Sequence, residues 1–473
     1  MPKNSSSPRT TLVVACLATA MLMLDVAVVN TAIAQLGRDL RVGASALKWI
    51  VDAYSLPIAA TVITVGALSD RFGRRLVFAG GMTVFTTASL ACALAPDAGA
   101  LIAARVAQGL GASALFASSL ALVADIYPLG RGRANAMAAY GATIGASFAV
   151  GPLVGGALAS GPGWRWIFLV NIPIGLATLV ATALRVRESR DPRPRRVDLP
   201  GLTTLTLGLF ALVLALLRGR EDGWTSAQTL AELGAAAGLI PAFLIIEARS
   251  AAPMLPLALF RVRPFAAAQL ASLALSASFF ALYLYATLFL QDVLTLSPIQ
   301  TGLVYLPGTA LIFLTSAAAA PLGARIAAPR LIVVGLGLVA AGLALYPTVG
   351  PQSSWVAYEP GLLLASAGTG LLNPILAGLP INAVPAAMAG LASGVSNTAR
   401  QTGIALGIAG LGALFSNQAI GPHNHAFSSA FHTAAFVGAG VALLGAATAG
   451  LLLRARTSTK ADQPQLVPTR EPA

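Results

Sequence analysis

Residues 11–36 read TLVVACLATAMLMLDVAVVNTAIAQL, an apolar run long enough to cross a bilayer as a helix, with one carboxylate, Asp25, inside it. A spanning helix needs about 20 mostly apolar residues, because it rises about 1.5 Å per residue through roughly 30 Å of hydrocarbon. A charge at that depth costs about 3 kcal/mol or more on insertion scales. An acid kept there reads as a working site that faces a cavity, with a partner elsewhere in the chain. The plainer reading is a structural carboxylate, always paired and never titrating.

The rest of the chain supports a membrane setting. Of 473 residues, 56% are hydrophobic and 10% charged, against about 25% charged in soluble domains. A soluble protein of this size could not cover its surface with so few charges. The net charge of +13 lies in short loops between apolar runs, with no basic groove interleaved with aromatics, so no nucleic-acid partner is expected. Cys16 and Cys92 fall inside apolar spans and imply neither a disulfide nor a metal framework. No P-loop, zinc spacing, GxSxG or HExxH occurs, so no enzyme, cofactor or metal is expected and ATP does not drive the protein directly. Gly109-Leu110-Gly111 imitates a dinucleotide fingerprint but lies in mid-span. Residues 1–34 resemble a signal peptide, but the core is too long and many spans follow, so an uncleaved first helix is expected.

Apolar runs bounded by Gly, Pro and charges predict fourteen spans, near 11–34, 46–68, 76–95, 98–122, 134–159, 164–184, 199–217, 227–246, 265–290, 298–321, 331–349, 355–380, 388–415 and 430–453. With both termini inside, twenty-two Lys and Arg fall on the cytoplasmic side and five outside (Arg38, Arg41, Arg165, Arg218 and Arg220). That asymmetry is the positive-inside rule. The loop LSDRFGRRLVFAGG (68–81) recurs weakly as LGARIAAPRLIVVGLG (322–337), with Arg71 over Arg325 and Arg75 over Arg330. QGLG (108–111) has a fainter echo in AGTG (367–370). The expected organisation is a cytoplasmic N-terminus (1–10), a six-helix bundle (11–184), a charged linker (185–197) and two extra helices (198–247). A cytoplasmic loop (248–263), a second six-helix bundle (264–453) and a disordered tail (454–473) complete it. Related halves with a site at their shared midplane are the plan of alternating-access carriers.

Depth selects partners for Asp25. At about 1.5 Å per residue it lies about 15 Å below the outer end of span one. By the same rise Arg105 lies about 11 Å and Gln108 about 15 Å down span four, on one shared face. Arg400, about 21 Å up span thirteen, is the other candidate cation, and the sequence does not choose between them. Asn30, five residues from Asp25, points to another face; helix–helix contact and the cavity wall are both open to it. In the loop Gly66-Ala67-Leu68-Ser69-Asp70-Arg71-Phe72-Gly73-Arg74-Arg75, Asp70 suits a helix N-terminus and the arginines suit carboxylates or anionic lipid heads. A conformational latch is expected there, beside the plainer positive-inside anchor. GATIGASFAVGPLVGG (141–156) contains the pairs Gly141/Gly145 and Gly151/Gly155, which permit close helix approach, with Gly156 beside them and Pro152 permitting a bend. Lys48 and Asp52 read as a surface helix pair, Glu232, Glu247, Asp292 and Glu359 as interfacial acids, and His423, His425 and His432 as an outer cluster.

Together these stretches resemble the major facilitator superfamily, and within it the fourteen-span drug:proton antiporters. Residues 66–75 match its GxLxDRxGRR/K signature, and LDVAVVNTAI (24–33) is similar to the first-span motif, with Asp25 on its acidic position. Arg105-Val106-Ala107-Gln108-Gly109-Leu110-Gly111 is similar to the span-four motif, and Gly151-Pro152-Leu153-Val154-Gly155-Gly156 resembles the span-five antiporter motif. Trp164-Arg165-Trp166-Ile167-Phe168-Leu169-Val170-Asn171-Ile172-Pro173 is similar to the opening of span six. The resemblance implies an all-α fold of two six-helix bundles plus two central helices. It implies a monomer in a bacterial inner membrane, surrounded by lipid, that exports lipophilic or amphipathic compounds in exchange for protons. Arg105 would take part in proton transfer, and the span-five motif would serve as the antiporter hinge. Ser147 departs from the glycine common in that motif, and spans ten and thirteen lack the acids that broaden cationic substrate range in some relatives. The alternative on the same fold is a carrier for a dedicated lipid, sugar or biosynthetic product, without proton coupling.

Overall fold

The computed structural model describes residues 7–128, 130–161, 163–190, 198–219, 223–250, 253, 255–323, 325–415 and 425–454. Lys3, Arg193, Arg195, Arg196, Arg220, Arg456, Lys460, Arg470 and His423 lie outside the described residues, as do the side chains of Asn30, Lys48, Pro152 and Gly156. Among the described residues there is no strand. The first half forms α1 (Pro8–Leu40), α2 (Ala44–Phe72), α3 (Arg74–Leu94), α4 (Ala98–Ile126), α5 (Arg131–Ser160), α6 (Arg165–Leu169) and α7 (Asn171–Arg185). The middle pair is α8 (Leu199–Gly219) and α9 (Ala227–Arg249). The second half begins with α10 (Arg263–Leu275) and α11 (Ala281–Leu288), joined by a π-helical turn at Ser276–Phe280, with a second such turn at Phe289–Val293. It continues with α12 (Pro298–Gly323), α13 (Ala328–Leu345), α14 (Glu359–Asn382), α15 (Ala389–Gly412) and α16 (His425–Arg454).

A helical run lies over each of the fourteen apolar stretches, and twelve of them are long and apolar enough to cross a membrane. The protein is a multi-pass membrane protein. The two long helices outside that dozen are α5 and α15. Both are rich in glycine, serine and alanine and both pack between the halves, where small residues replace bulky apolar ones because backbones approach closely. Helices outrun the expected spans because their polar ends still satisfy the ladder. α1 starts with Pro8 in its first turn and stops where Arg41 adopts a left-handed conformation (φ 54°). Span six is divided at Val170, and Asn171 opens α7.

Each half buries its own core. The first half packs Leu22, Tyr54, Phe78, Met82, Phe85 and Leu115, while the second packs a denser aromatic set. There Tyr346 stacks on Tyr358 with centroids 4.5 Å apart, Phe289 on Phe431 at 4.8 Å and Tyr283 on Tyr305 at 4.3 Å. Such pairs add to the area they bury. α5 lies against α12 and α14, and α15 against α2 and α4, so three helices from each half form the seam. α8 and α9 pair with each other, and α8 rests on α2 and α15.

Candidate functional site

The intramembrane charges meet inside the first half. Arg105 Nη1 donates to Asp25 Oδ2 at 2.5 Å, with the two side chains 1% and 0% exposed. Gln108, one turn along α4, accepts from the same Arg105 nitrogen through Oε1 (2.7 Å) and donates through Nε2 to Asp25 Oδ1 (2.9 Å) and Ser89 Oγ (2.9 Å). Asn171 Nδ2 donates to Asp25 Oδ1 at 3.2 Å and to Ser89 Oγ at 3.5 Å. Arg105 Nε donates to Ile50 O at 3.1 Å, and its guanidinium carbon lies 4.2 Å from the Tyr54 ring centroid and 5.8 Å from that of Phe168. The constellation therefore draws on α1, α2, α3, α4, α6 and α7.

The arrangement has a chemical consequence. Three donors converge on the Asp25 carboxylate, two on Oδ1 and one on Oδ2, so a proton on Oδ1 must displace an amide, while one on Oδ2 removes the charge that holds Arg105. The Arg105 cation is not committed to Asp25 alone: the Ile50 carbonyl, Gln108 Oε1 and two aromatic faces remain to it if the carboxylate is neutralised. A buried pair with one partner removed is costly unless the other has a fallback. Here the fallback is built in.

Arg400 is not brought to Asp25. It sits on the face of α15 that carries Ser393 and Asn397, both of which donate to Phe116 O of α4 (3.1 and 3.5 Å). Among the described residues no carboxylate lies within ion-pair distance of Arg400, and the ionisable group acting on it is Tyr140 of α5. It is half-buried and faces the first half across the seam. The depth estimate that admitted both arginines does not encode rotation about the helix axis, and rotation separates them.

The stretch 66–75, expected as a loop, is the last turns of α2 and the first of α3 hinged at Gly73, and it lies where the halves touch. Asp70 Oδ1 accepts from Arg74 Nε (2.9 Å) and Nη2 (2.8 Å), four residues on. The same carboxylate accepts from the backbone N–H groups of Gly390 and Leu391, each at 2.9 Å, at the start of α15. Asp70 thus caps the N-terminus of a helix in the opposite half, where free amides and the helix dipole favour an anion. Arg74 also donates to Ala386 O, and its Nη1 lies 3.5 Å from both Asp125 and Ser189 Oγ. Gly66 is required at this crossing, because a Cβ there would sit 2.5 Å from Gly390 O. Gly73 has φ +122°, a conformation that glycine alone adopts readily. Glu188 then accepts from the N–H groups of Arg75 and Leu76 (both 3.1 Å), tying the linker to the start of α3. Arg75 donates to Ala183 O at 2.9 Å, and Arg71 lies over the Phe72 ring.

In α5, Gly141 abuts Asn373 and Pro374 of α14 and Gly145 abuts Ile312 of α12, while Gly151 abuts Ala27 of α1 and Gly155 is buried. The first small-residue pair thus serves the seam, and Gly151 serves packing within the first half. α5 remains one helix throughout. Glu247 and Arg218–Glu232 (2.6 Å) lie in the extra pair, away from the buried network. Asn171, Ser89, Tyr54, Phe168, Asp125 and Glu188 received no role from the sequence. Asn171 lies in the span-six stretch quoted above, but nothing in the sequence set it apart from other small polar residues. Ser89 carried no signal.

A family model described as Major Facilitator Superfamily matches residues 15–408. The chain is 37% identical over 409 residues to the multidrug resistance protein Stp of Mycobacterium tuberculosis, covering 86% of this chain and 75% of that protein. It is 32% identical over 415 residues to the tetracenomycin C resistance and export protein of Streptomyces glaucescens, covering 87% of this chain and 76% of that one. The fold aligns with the solved structure of the proton:xylose symporter XylE at a TM-score of 0.65 and 15% identity, over 94% of this chain and 95% of that one. With that fold, that extended match and these relatives, the chain is a member of the Major Facilitator Superfamily.

Proposed function

We propose that the protein is a drug:proton antiporter, exporting lipophilic or amphipathic small molecules across the cytoplasmic membrane by alternating access. In this reading all fourteen helical runs span, both termini are cytoplasmic, and the 66–75 stretch lies on the inner side. The observation that carries the proposal is the Asp25–Arg105–Gln108 constellation, a carboxylate at membrane depth whose cationic partner has other places to go. A proton from the outside neutralises Asp25 and displaces a donor. Arg105 then relaxes onto Ile50 O, Gln108 and the Tyr54 ring, and the shifted helices favour release of substrate. The Asp70 cap on α15 holds the inner ends of the two halves together and has to break for cytoplasmic opening. Arg400, facing the seam without an acid, marks the substrate side of the cavity. One charge moved through about 100 mV is worth about 2.3 kcal/mol, near fiftyfold in concentration, which is adequate for accumulation.

The test is transport in proteoliposomes under an imposed pH gradient. Asp25→Asn is expected to abolish gradient-driven movement while leaving substrate binding measurable; a variant that still couples to the gradient removes the mechanism. The second reading, a dedicated product exporter, is favoured by the tetracenomycin C resistance and export protein among the relatives. A panel of efflux substrates at two external pH values separates the two, since a dedicated exporter leaves lipophilic dyes in the cell.

A further inference from the structure

The two sides of the seam are closed by different means. On one side Asp70 supplies the anion that neutralises Arg74 and caps α15. On the other, where α5 meets α12, α13 and α14, lies a cavity of about 610 Å³ lined by three arginines and, among the described residues, by no acid. Arg131 and Arg133 come from the start of α5, and Arg325 comes from the turn between α12 and α13. The Nε of Arg133 is buried and has no hydrogen-bond partner among the described residues. The carboxylate that acts on Arg133 is Asp125, which is itself 3.5 Å from Arg74. The internal repeat explains the imbalance: with Arg325 over Arg71, the position of Asp70 is taken by Ala324. The second half keeps the counterpart of Arg71 and lacks that of Asp70.

We propose that this cavity binds the phosphate of an anionic phospholipid headgroup from the inner leaflet, which supplies the missing negative charge. The inner-leaflet assignment rests on the orientation proposed above. Three arginines lining one pocket at helix ends fit a phosphate, which arginine binds with two parallel donors. A lipid fits better than a soluble phosphate because the cavity continues inward between Met137, Ile375 and Leu379, which offer an apolar wall to the start of an acyl chain. Basic pockets between spanning helices on the cytoplasmic side are where such headgroups are held. A phosphate shared by Arg133 and Arg325 ties the first half to the second at the same end as the Asp70 cap. Bound anionic lipid therefore favours the state in which that end is shut.

Native mass spectrometry of the purified full chain, with phosphatidylglycerol and phosphatidylcholine as probes, tests this directly. Wild type is expected to retain phosphatidylglycerol in preference to phosphatidylcholine. The double variant Arg133→Gln/Arg325→Gln should lose roughly tenfold or more in that affinity. Inorganic phosphate in excess should not displace the lipid. Ala328→Glu gives an independent check should the double variant fold poorly: it puts a carboxylate on the cavity wall in the first turn of α13, where an acid is tolerated, and should also weaken phosphatidylglycerol. Equal retention of the two lipids by wild type, unchanged affinity in the variants, or displacement by inorganic phosphate would each overturn the proposal. The last outcome would reassign the cavity to a soluble anion. None of these readouts depends on transport, so the result is independent of proton coupling.

Discussion

The two halves use one helical plan for opposite purposes. The first places a carboxylate, a guanidinium and two amides among its helices, all buried. The second fills its interior with stacked rings, and the polar atoms there are mostly hydroxyls, such as Tyr285 donating to Ile408 O at 2.7 Å. Buried charge demands a full set of partners and rearranges when a proton arrives, whereas stacked aromatics are indifferent to protons and resist deformation. On the antiporter reading proposed above, the labour divides accordingly: the first half senses the ion and the second provides a firm wall for it to move against.

The comparison breaks first at Arg105. Arg105→Ala strands the Asp25 charge and should destabilise the protein by about 3–5 kcal/mol, read by thermal unfolding in detergent. The neutral double variant Asp25→Asn/Arg105→Gln should recover most of that loss; an undamaged single variant would mean that the first half is not built around its charges. In the second half, Phe431→Ala should cost about 3 kcal/mol through the cavity it leaves, yet keep the pH profile of whatever transport survives. A shifted profile there would contradict the division of labour. Asp70→Asn weakens a charge-assisted set of bonds and should cost about 2 kcal/mol. Its sharper signature is increased labelling of cysteines placed near Ala386, at the Asp70 end of the seam. The smallest effect, about 1 kcal/mol, is expected for Tyr305→Phe, which removes a hydroxyl 3.1 Å from that of Thr287.

Much of the fold was legible because bilayer thickness imposes a length on each apolar run, and the runs announce themselves. Helix ends were less so, since polar residues continue a helix into the headgroup region without an apolar signature, as at both ends of α1. Asp25, Arg105 and Gln108 could be found by depth alone, because a charge in hydrocarbon is conspicuous wherever it stands. Arg400 was equally conspicuous, but whether it meets Asp25 depends on which way α15 is turned. Ser89 and Asn171 were hidden for the reverse reason: small polar residues are common in spans, and only geometry reveals which of them serve a carboxylate. Ala324 shows what an internal repeat can reveal by its imperfections.

Asp70 accepts its cross-seam hydrogen bonds from peptide backbone, and among the coded residues only proline removes an amide N–H. A saturation screen of this protein should therefore map an intolerant spot at Asp70 matched at Leu391 only by the exclusion of proline, and at Gly390 by a demand for smallness, since a Cβ there would lie 2.7 Å from Asp70 Oδ1. Covariation methods, which look for compensating pairs, would be blind to this tie between the halves. Drift in α15 can then proceed freely so long as its first turn stays slim, leaving that helix open to change on its other faces while the clasp endures.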